Sequence, residues 1–264
     1  MKLNILIIGK NSFLGSNLSR FFKKKKIKFK KIDLKKFVKL KRNYISKFNF
    51  IVNSATNNAY MQKSYNPKDD FDLIVARKLK NIKTKLIIFS TGKIYGSGNN
   101  LKENSKKKPL GHYGKNKLIT ENKMLQICKN VLIFRLSNIV GKKNVNNHRK
   151  ITNLFFDDIR KNLKKNIIII PGKNYYKDFL LIEDFVKIVH LSMVKNISGI
   201  FNLSSNHKIY IQDLAKWISN ETGATILYIN KKTDSFTLNN KKLLNKLKIN
   251  RKLLNLKKNI TRII

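Results

Sequence analysis

Tyr113 and Lys117 are the two side chains in this 264-residue sequence best placed to do chemistry together. They are four residues apart, and this spacing puts both on one face of a helix. The stretch from Leu118 to Ile127 continues with apolar residues at helical intervals. A free tyrosine has a pKa of about 10 and is a poor base at neutral pH, but a lysine ammonium one turn away stabilises the phenolate. The pair therefore predicts a general acid/base.

A hydroxyl group completes the predicted chemistry. Ser90 and Thr91 follow an apolar strand, and the Thr91 hydroxyl can hold the substrate oxygen that Tyr113 protonates. Together these groups would remove or return a hydroxyl proton while hydride passes between the substrate carbon and a nicotinamide ring. Because Lys is almost one residue in five, chance pairs are expected, and a second pair, Tyr228 and Lys232, in a polar, irregular region is interpreted as accidental.

A nicotinamide cofactor needs a phosphate-binding turn, which the sequence offers between its first strand and its first helix: Gly9-Lys10-Asn11-Ser12-Phe13-Leu14-Gly15. Such a turn requires a tight bend at the first glycine, free amides at the helix N-terminus for the pyrophosphate, and a small last residue for helix packing. Ser12 replaces the usual middle glycine and hinders close backbone approach, although its hydroxyl can donate. An ordinary strand–turn–helix with incidental glycines is the alternative interpretation.

Asp33 ends the second predicted strand, 18 residues after Gly15. A carboxylate at this distance would hold the adenosine ribose hydroxyls, which favours NAD. Lys35 and Lys36 beside it can equally meet the 2′-phosphate of NADP. The other acidic cluster, Asp69, Asp70 and Asp72, is interpreted as the N-terminus of a helix, where the dipole favours negative charge.

Strand and helix patterns alternate along the first half of the chain, which predicts an α/β fold with a Rossmann-type doubly wound parallel sheet. The pattern loosens beyond about residue 141, and a small C-terminal lobe is predicted there. The strands are expected at 3–8, 27–32, 50–52, 86–89, 131–134, 167–170 and 200–203, and the main helices at 12–22, 182–195 and 211–222. We expect residues 1–141 to form the first domain, rejoined by 178–198, and 142–177 and 199–264 to form the lobe.

The composition carries a net charge of +44, from 50 Lys and 8 Arg against 14 acids. The content of Lys is high together with that of Asn and Ile, and the three residues share adenine- and thymine-rich codons. Genome bias therefore explains the charge more simply than a nucleic-acid partner does. A nucleic-acid partner stays the open alternative, although such surfaces favour clustered Arg. One cysteine, Cys128, excludes a disulfide framework and a cysteine metal site. No apolar run approaches the roughly 20 residues of a bilayer span, and the N-terminal apolar run is too short for a signal peptide, so a cytoplasmic protein without membrane contact is expected.

Several motifs occur in a shared order over roughly residues 1–220. They are Gly9 to Gly15, Val52-Asn53-Ser54-Ala55, Ser90-Thr91-Gly92-Lys93-Ile94-Tyr95-Gly96, Tyr113-Gly114-Lys115-Asn116-Lys117, Phe134 to Gly141 with Asn138, Lys177-Asp178-Phe179, and Gly199 to Leu203. In this order the chain resembles the extended short-chain dehydrogenase/reductase family, in particular its nucleotide-sugar epimerases, dehydratases and reductases.

The resemblance implies a role for each matched residue. The implied catalytic residues are Tyr113, Lys117 and Thr91. The implied cofactor-binding residues are Gly9, Asn11, Ser12, Phe13, Leu14, Gly15, Asp33, Ser54, Ala55, Ser90, Tyr113 and Lys117. The implied substrate-binding residues are Thr91, Lys93, Tyr113, Asn138 and Lys177. The resemblance also implies NAD or NADP as cofactor, a nucleoside-diphosphate sugar as substrate, a substrate-binding role for the lobe, and a homodimer formed through the Tyr113 helix; no metal site is expected.

Departures from the family pattern narrow the chemistry. The carboxylates that drive elimination in the 4,6-dehydratases are replaced by Gly92 and Lys93, and the Glu of the decarboxylases and the Cys of the two-carbon epimerising reductases are also absent at residue 93. This leaves hydride and proton exchange at one carbon, by a 4-epimerase or a 4-keto reductase. The chain is short between Asp33 and Phe50, a region that helps hold adenine in the family, and Lys177 replaces a common Arg. The alternative is an inactive member that binds a polyanion such as RNA or acts as a scaffold.

Overall fold

The computed structural model describes residues 3–141, 154–172, 174–231, 233–250 and 253–264, so Lys232 of the second tyrosine–lysine pair lies outside it. The chain divides into two compact units. The first contains Met1–Tyr95, Lys106–Arg135 and Val186–Phe201, and the second contains Gly96–Ser105, Leu136–Phe185 and Asn202–Ile264. This division differs from the predicted domain boundaries at 96–105, 136–141, 178–185 and 199–201. The assignment of cofactor and substrate binding to the two units stays a prediction.

The described strands and helices follow in chain order. The strands are β1 (Asn4–Ile8), β2 (Lys28–Ile32), β3 (Phe50–Asn53), β4 (Lys85–Thr91), β5 (Gly98–Leu101), β6 (Val131–Leu136), β7 (Asn138–Val140), β8 (Ile167–Pro171), β9 (Tyr176–Lys177), β10 (Phe179–Leu181), β11 (Gly199–Leu203), β12 (Ile209–Tyr210), β13 (Thr225–Ile229) and β14 (Phe236–Leu238). The helices are α1 (Phe13–Lys24), α2 (Leu34–Lys39), α3 (Arg42–Ile45), α4 (Asn58–Gln62), α5 (Phe71–Leu79), α6 (Gly111–Ile127), α7 (Leu154–Leu163), α8 (Ile182–Val194), α9 (Ile211–Thr222), α10 (Lys241–Leu247) and α11 (Ile260–Ile263).

A six-stranded sheet with the order β11-β6-β4-β3-β1-β2 organises the fold. β1 pairs in parallel with β2 and β3, and β3 pairs in parallel with β4. β3, β4 and β6 are buried along their whole length, as expected of parallel strands covered on both faces. Their apolar side chains pack with those of α5 and α6 in one core cluster. The predicted Rossmann-type α/β fold is confirmed.

The carboxyl ends of the parallel strands meet at one edge of the sheet. Ile8 at the end of β1 is in register with Ile32 at the end of β2 and with Asn53 at the end of β3, and Asn53 is in register with Ile88 of β4. The predicted site residues that directly follow these strands therefore share this edge, where ligands bind in open α/β sheets.

Residues 33–49 contain two short helices, α2 and α3, and no strand. β2 is consequently the last strand of the sheet on this side among the described residues. The strand that the family usually has in this region is missing, as the short sequence between Asp33 and Phe50 indicates.

The second unit contains a four-stranded sheet of order β12-β9-β14-β5 and the strand pairs β10·β7 and β13·β8. Its core cluster contains apolar residues of α7, α9, β8, β10 and α11. Among the described residues, every helix is too short or too polar to traverse a lipid bilayer.

Candidate functional site

The turn after β1 can be built only with glycine at its two ends. Gly9 has a φ of +98°, in the region that side chains disfavour, and a Cβ atom there would lie 2.7 Å from the backbone nitrogen of Ala55. A Cβ atom on Gly15 would lie 2.8 Å from the carbonyl oxygen of Gly9 and closer still to the Ser54 hydroxyl. The two glycines therefore let α1 pack directly against the ends of β1 and β3.

Ser12 uses its hydroxyl within the protein. Its Oγ accepts a hydrogen bond from the Gly15 amide at 2.9 Å as the N-cap of α1, and it donates to Ser54 Oγ at 2.7 Å. Ser54 Oγ in turn donates to the carbonyl oxygen of Ile8 at 2.8 Å. The hydroxyl that we expected to be free to donate is thus committed to joining the turn to β3.

The first turn of α1 keeps free donors. A helix N-terminus leaves its first amides without intrahelical acceptors, and those of Phe13 and Leu14 have no acceptor among the described residues. Asn11 is exposed in the turn before them. These amides are the donors that a pyrophosphate requires at the N-terminus of such a helix.

Asp33 lies beside this turn and serves first as a helix cap. Its Oδ1 accepts the backbone amide of Lys36 at 2.8 Å as the N-cap of α2, and its Oδ2 lies 3.6 Å from Lys10 Nζ. The hydrogen bond from Lys36, with the Lys10 ammonium nearby, holds the pKa of Asp33 below its usual value. The carboxylate is therefore charged at neutral pH and shared between the helix and the lysine.

The end of β4 presents two hydroxyl groups. Thr91 Oγ1 accepts the backbone amide of Lys93 at 3.3 Å and caps a single 3₁₀ turn. Ser90 Oγ is buried and has no hydrogen-bond partner within the described part of the chain. A buried hydroxyl without a partner is rare in folded proteins and calls for a further group.

Helix α6 rests directly on the 3₁₀ turn. A Cβ atom on Gly114 would lie 2.8 Å from the carbonyl oxygen of Lys93, so only glycine allows this approach. Asn116 fixes the other side of α6 because its Nδ2 donates to the carbonyl oxygens of Tyr60 at 2.8 Å and Lys63 at 2.9 Å. Both contacts position Tyr113, which is half-buried at the start of the helix. Gly114 and Asn116 belong to a motif recognised in the sequence, but their spacing alone does not predict that they position α6.

Lys117 is buried and ion-paired. Its Nζ lies 2.6 Å from Asp72 Oδ2 and 5.9 Å from the centre of the Tyr113 ring. Burial alone would lower the pKa of Lys117, but the Asp72 carboxylate outweighs burial and the pKa lies above its usual value. The lysine therefore stays charged one helical turn from Tyr113, as the spacing predicts.

Asp72 is the residue that sequence reasoning missed. Asp70 caps α5 by accepting the Leu73 amide at 2.9 Å, as the helix-terminus interpretation predicts. Asp72 lies in the first turn of the same helix, but its side chain is buried against Lys117 and accepts a hydrogen bond from Asn53 at 2.6 Å. The helix dipole explained all three acids equally well, and nothing local in the sequence indicates a contact with a lysine 45 residues away.

A small open cleft lies beside the Asp72–Lys117 pair. It is lined by Ala55, Thr56, Asn57, Tyr60, Asp69, Asp70, Phe71, Asp72 and Lys117. Ala55, one of the lining residues, lies close to the glycine turn, since a Cβ atom on Gly9 would lie 2.7 Å from its backbone nitrogen.

Two predicted substrate-binding residues lie in the second unit. Asn138 Nδ2 donates to the carbonyl oxygen of Asp178 at 3.0 Å, next to the pairing of β7 with β10. Lys177 Nζ lies 3.2 Å from the carbonyl oxygen of Asp234. Their role in substrate binding stays a prediction.

The hydrogen-bond donors and acceptors of the first unit fit a dinucleotide. The free amides of Phe13 and Leu14 face outward from the helix N-terminus, and the unpartnered Ser90 hydroxyl lies at the end of β4 on the same edge of the sheet. A charged carboxylate, Asp33, follows β2. Anion donors and a ribose acceptor at one sheet edge are the groups that dinucleotide binding uses.

Comparison with known proteins places these features in a family. The model of the family described as "RmlD substrate binding domain" matches residues 1–235. No curated protein matches the chain by sequence. Many solved structures share its fold.

Three of these structures illustrate the range of enzymes that share the fold. An NAD-dependent NDP-hexosamine 5,6-dehydratase of tunicamycin biosynthesis has a TM-score of 0.83 at 16% identity, covering 99% of this chain and 96% of its own. A UDP-glucuronic acid 4-epimerase from Bacillus cereus, in complex with NAD, has a TM-score of 0.79 at 17% identity, with 99% and 97% covered. A dTDP-4-dehydrorhamnose reductase from Clostridium acetobutylicum has a TM-score of 0.77 at 17% identity, with 99% and 98% covered.

At these sequence identities the structural likeness establishes only the fold. The family model adds a sequence match over most of the chain. The predicted resemblance to the extended short-chain dehydrogenase/reductase family is confirmed. The similar proteins modify nucleotide sugars by dehydration, epimerisation or reduction, so this general kind of function is supported and the individual reaction is left open.

Proposed function

The chain belongs to the RmlD substrate binding domain family, and on that premise we propose that it is an NAD(P)-dependent enzyme that transfers hydride and a proton at a single carbon, C4, of a nucleoside-diphosphate sugar. The observation that carries the proposal is the charged Lys117 one helical turn from the half-buried Tyr113, on a helix seated against the turn after Thr91. Proteins of similar fold solved with NAD support this dinucleotide as the cofactor, with NADP as the alternative.

The proposed roles follow from where each group lies. The Tyr113 hydroxyl gives a proton to the substrate oxygen in reduction and takes it back in oxidation. The Lys117 ammonium stabilises the phenolate that remains, and Thr91 hydrogen-bonds the same substrate oxygen. The amides of Phe13 and Leu14 would hold the pyrophosphate, and Asp33 the adenosine ribose. When bound, the cofactor supplies or accepts the hydride.

Restriction to a single carbon rests on residues 92 and 93. Elimination of water needs an acid and a base beside the hydroxyl of Thr91, and Gly92 and Lys93 offer neither carboxylate. The fold likeness to a dehydratase does not supply them, since fold alone does not fix the chemistry.

Between the two single-carbon reactions we favour the 4-keto reductase. An epimerase keeps its cofactor through the catalytic cycle, whereas a reductase exchanges it. Asp33 is shared with the N-terminus of α2 and with Lys10, and residues 33–49 lack the strand that helps hold adenine in the family. Fewer groups are therefore available to retain the adenosine half, which suits an exchangeable cofactor.

The decisive experiment incubates the purified protein with nucleoside-diphosphate 4-keto sugars and NADH or NADPH. We expect loss of absorbance at 340 nm and a product heavier by two hydrogens in the mass spectrum. Isomerisation without net cofactor use would indicate the 4-epimerase instead, and loss of water or carbon dioxide would refute the proposal.

Tyr113→Phe is the matched variant for this assay. Removing the proton donor should lower turnover by about 10²- to 10⁴-fold while leaving the urea unfolding midpoint unchanged. Turnover equal to that of the unchanged protein would remove Tyr113 from the reaction. A protein that shows no turnover but binds RNA with strong salt dependence, equally in both forms, would favour the polyanion-binding alternative.

The proposed homodimer rests on the family resemblance. Leu110 and Leu125, before and within α6, are about half exposed, which suits a partner surface along this helix. Analytical ultracentrifugation decides between monomer and dimer.

A further inference from the structure

The ammonium group of Lys117 does not act on Tyr113 alone. Its nearest polar atom is Asp72 Oδ2 at 2.6 Å, and both side chains are almost completely buried. Asp72 belongs to α5 and Lys117 to α6, so the ion pair joins two helices. A lysine whose only role was to place a positive charge near the Tyr113 phenol would not require a buried carboxylate beside it.

Asp72 is itself held in place. Asn53, the last residue of β3, donates a hydrogen bond to its Oδ1 at 2.6 Å. The carboxylate therefore bridges the carboxyl end of β3 and the Lys117 ammonium, with one oxygen assigned to each. This arrangement fixes the lysine at the edge of the cleft that also contains Ala55.

The other titratable groups around the pair come from three elements. Tyr60 of α4 places its ring 5.5 Å from Lys117 Nζ and bonds its hydroxyl to Thr120. Asp70, before α5, accepts a hydrogen bond from Thr120 and one from Tyr65. Tyr113 of α6 also interacts with the Lys117 charge, with its ring centre 5.9 Å from Lys117 Nζ. Of these phenols, Tyr60 and Tyr65 have a raised pKa, chiefly because they are buried.

We propose that Asp72 is a positioning residue: its carboxylate fixes the Lys117 ammonium between β3 and Tyr113 and offsets most of the lysine's positive charge. The assignment rests on the proposed function, in which Tyr113 moves the proton. Its consequence is that Tyr113 loses its proton readily only when another positive charge, such as an oxidised nicotinamide ring, lies beside it.

The direction in which the pKa should change follows from charge alone. Removing a negative charge from a poorly solvated site favours the loss of a proton from any group nearby, whether the proton leaves the phenol or the ammonium. Tyr113 and Lys117 interact, so the proton loss belongs to the pair as a whole. Changing Asp72 to a neutral residue should therefore move this proton loss to lower pH.

The test uses tyrosine labelled with ¹³C at the phenol carbon and needs neither substrate nor turnover. The Tyr113 signal is assigned by its disappearance in Tyr113→Phe. In Asp72→Asn, which keeps the size and hydrogen-bonding shape of the side chain, the titration midpoint of this signal should fall by about one pH unit or more. A midpoint that is unchanged or higher would overturn the proposal.

Asp69→Asn is the matched control. Asp69 lines the same cleft, but its carboxylate bonds to Asn57 rather than to Lys117. Its loss should shift the midpoint by less than half as much, and an equal shift would show that general charge rather than the ion pair is responsible. If Asp72→Asn does not fold, Asp72→Ser removes the same charge and leaves room for water from the open cleft.

Turnover gives a second and separable readout. In the oxidative direction the acid limb of the pH–rate profile of Asp72→Asn should move to lower pH, with kcat affected more than KM. A purely structural role would lower the rate at every pH without moving the limb. If the titration shifts but no nucleotide sugar is turned over, the positioning role holds and the proposed reaction fails. If turnover is normal and the titration midpoint does not move, the proposed reaction holds and the positioning role fails.

Discussion

Two buried ion pairs on helix α6 illustrate how the same type of contact can serve different ends. Lys117 makes one short bond to Asp72 beside an open cleft. One turn further along the helix, Glu121 binds Arg135 of β6 with both carboxylate oxygens, at 2.7 to 3.2 Å. Arg135 also donates to the Tyr95 hydroxyl at 2.7 Å.

The difference lies in how many bonds hold each charge. The planar guanidinium of Arg135 is matched by a two-pronged acceptor, which fixes its geometry. The ammonium of Lys117 has one short ionic partner and the ring of Tyr113 within reach. Burial does not distinguish the pairs; the number of fixed bonds and the neighbouring phenol do. We therefore propose that Glu121–Arg135 stabilises α6 and that Asp72–Lys117 serves the proposed reaction.

The largest expected effect on stability comes from breaking the structural pair. Glu121→Gln leaves the buried Arg135 without a counter-charge and should lower the free energy of unfolding by about 3–5 kcal/mol. Urea denaturation of this variant beside Asp72→Asn measures the contrast, because Asp72→Asn retains hydrogen bonds and borders the cleft. A loss under about 1 kcal/mol for Glu121→Gln, or a larger loss for Asp72→Asn, would break the comparison.

A smaller effect is expected where α6 touches the turn after β4. Gly114→Ala forces a methyl group against the Lys93 carbonyl oxygen and should destabilise the protein by about 1–3 kcal/mol. Because the helix must move away from Thr91, turnover should fall as well. The exposed neighbour provides the control: Lys115→Ala should change stability by less than about 0.5 kcal/mol. Normal turnover in Gly114→Ala would show that this contact does not position Tyr113.

The smallest effect concerns a titratable group that has no counter-ion in the described part of the chain. His190 packs 5.5 Å from the Phe21 ring and 6.3 Å from the Phe22 ring, and burial, with Lys25 nearby, lowers its pKa. The folded state therefore takes up the proton at lower pH than the unfolded state does. Below about pH 6.5 the unfolded chain binds it first, and stability falls as the pH decreases toward the lowered pKa. His190→Leu should flatten this part of the stability–pH curve, and an unchanged curve would contradict the assignment.

The sequence predicts those elements that have a clear period or an unbroken apolar run. The expected helix at 211–222 coincides with α9, and the expected strands at 50–52 and 131–134 lie within β3 and β6. The four-stranded sheet of the second unit was not predicted. Its strands contain two to four residues, too few to show a period, and they pair residues far apart in the chain, such as Phe236 with Gly98.

For the candidate site, residue types and spacing predicted a lysine one helical turn from a tyrosine and a glycine at each end of the turn after β1, because these patterns are visible along the chain; their roles in catalysis and binding stay predictions. The contacts that needed three dimensions were missed. Ser12 turns its hydroxyl inward because Ser54, directly after β3, accepts its hydrogen bond. Asp72 meets Lys117 only because α5 and α6 pack side by side.

Among the described residues no strand lies beyond β2, and this has a consequence for the behaviour of the molecule in solution. β2 is therefore the edge strand of the sheet on this side, and its sequence, Lys28-Phe29-Lys30-Lys31-Ile32, contains three lysines. An open strand edge invites a second chain to add to the sheet, and lysine side chains discourage this. Two copies approaching at β2 would bring six ammonium groups together. Repulsion between these charges should therefore disfavour the pairing of two chains along this edge of the sheet.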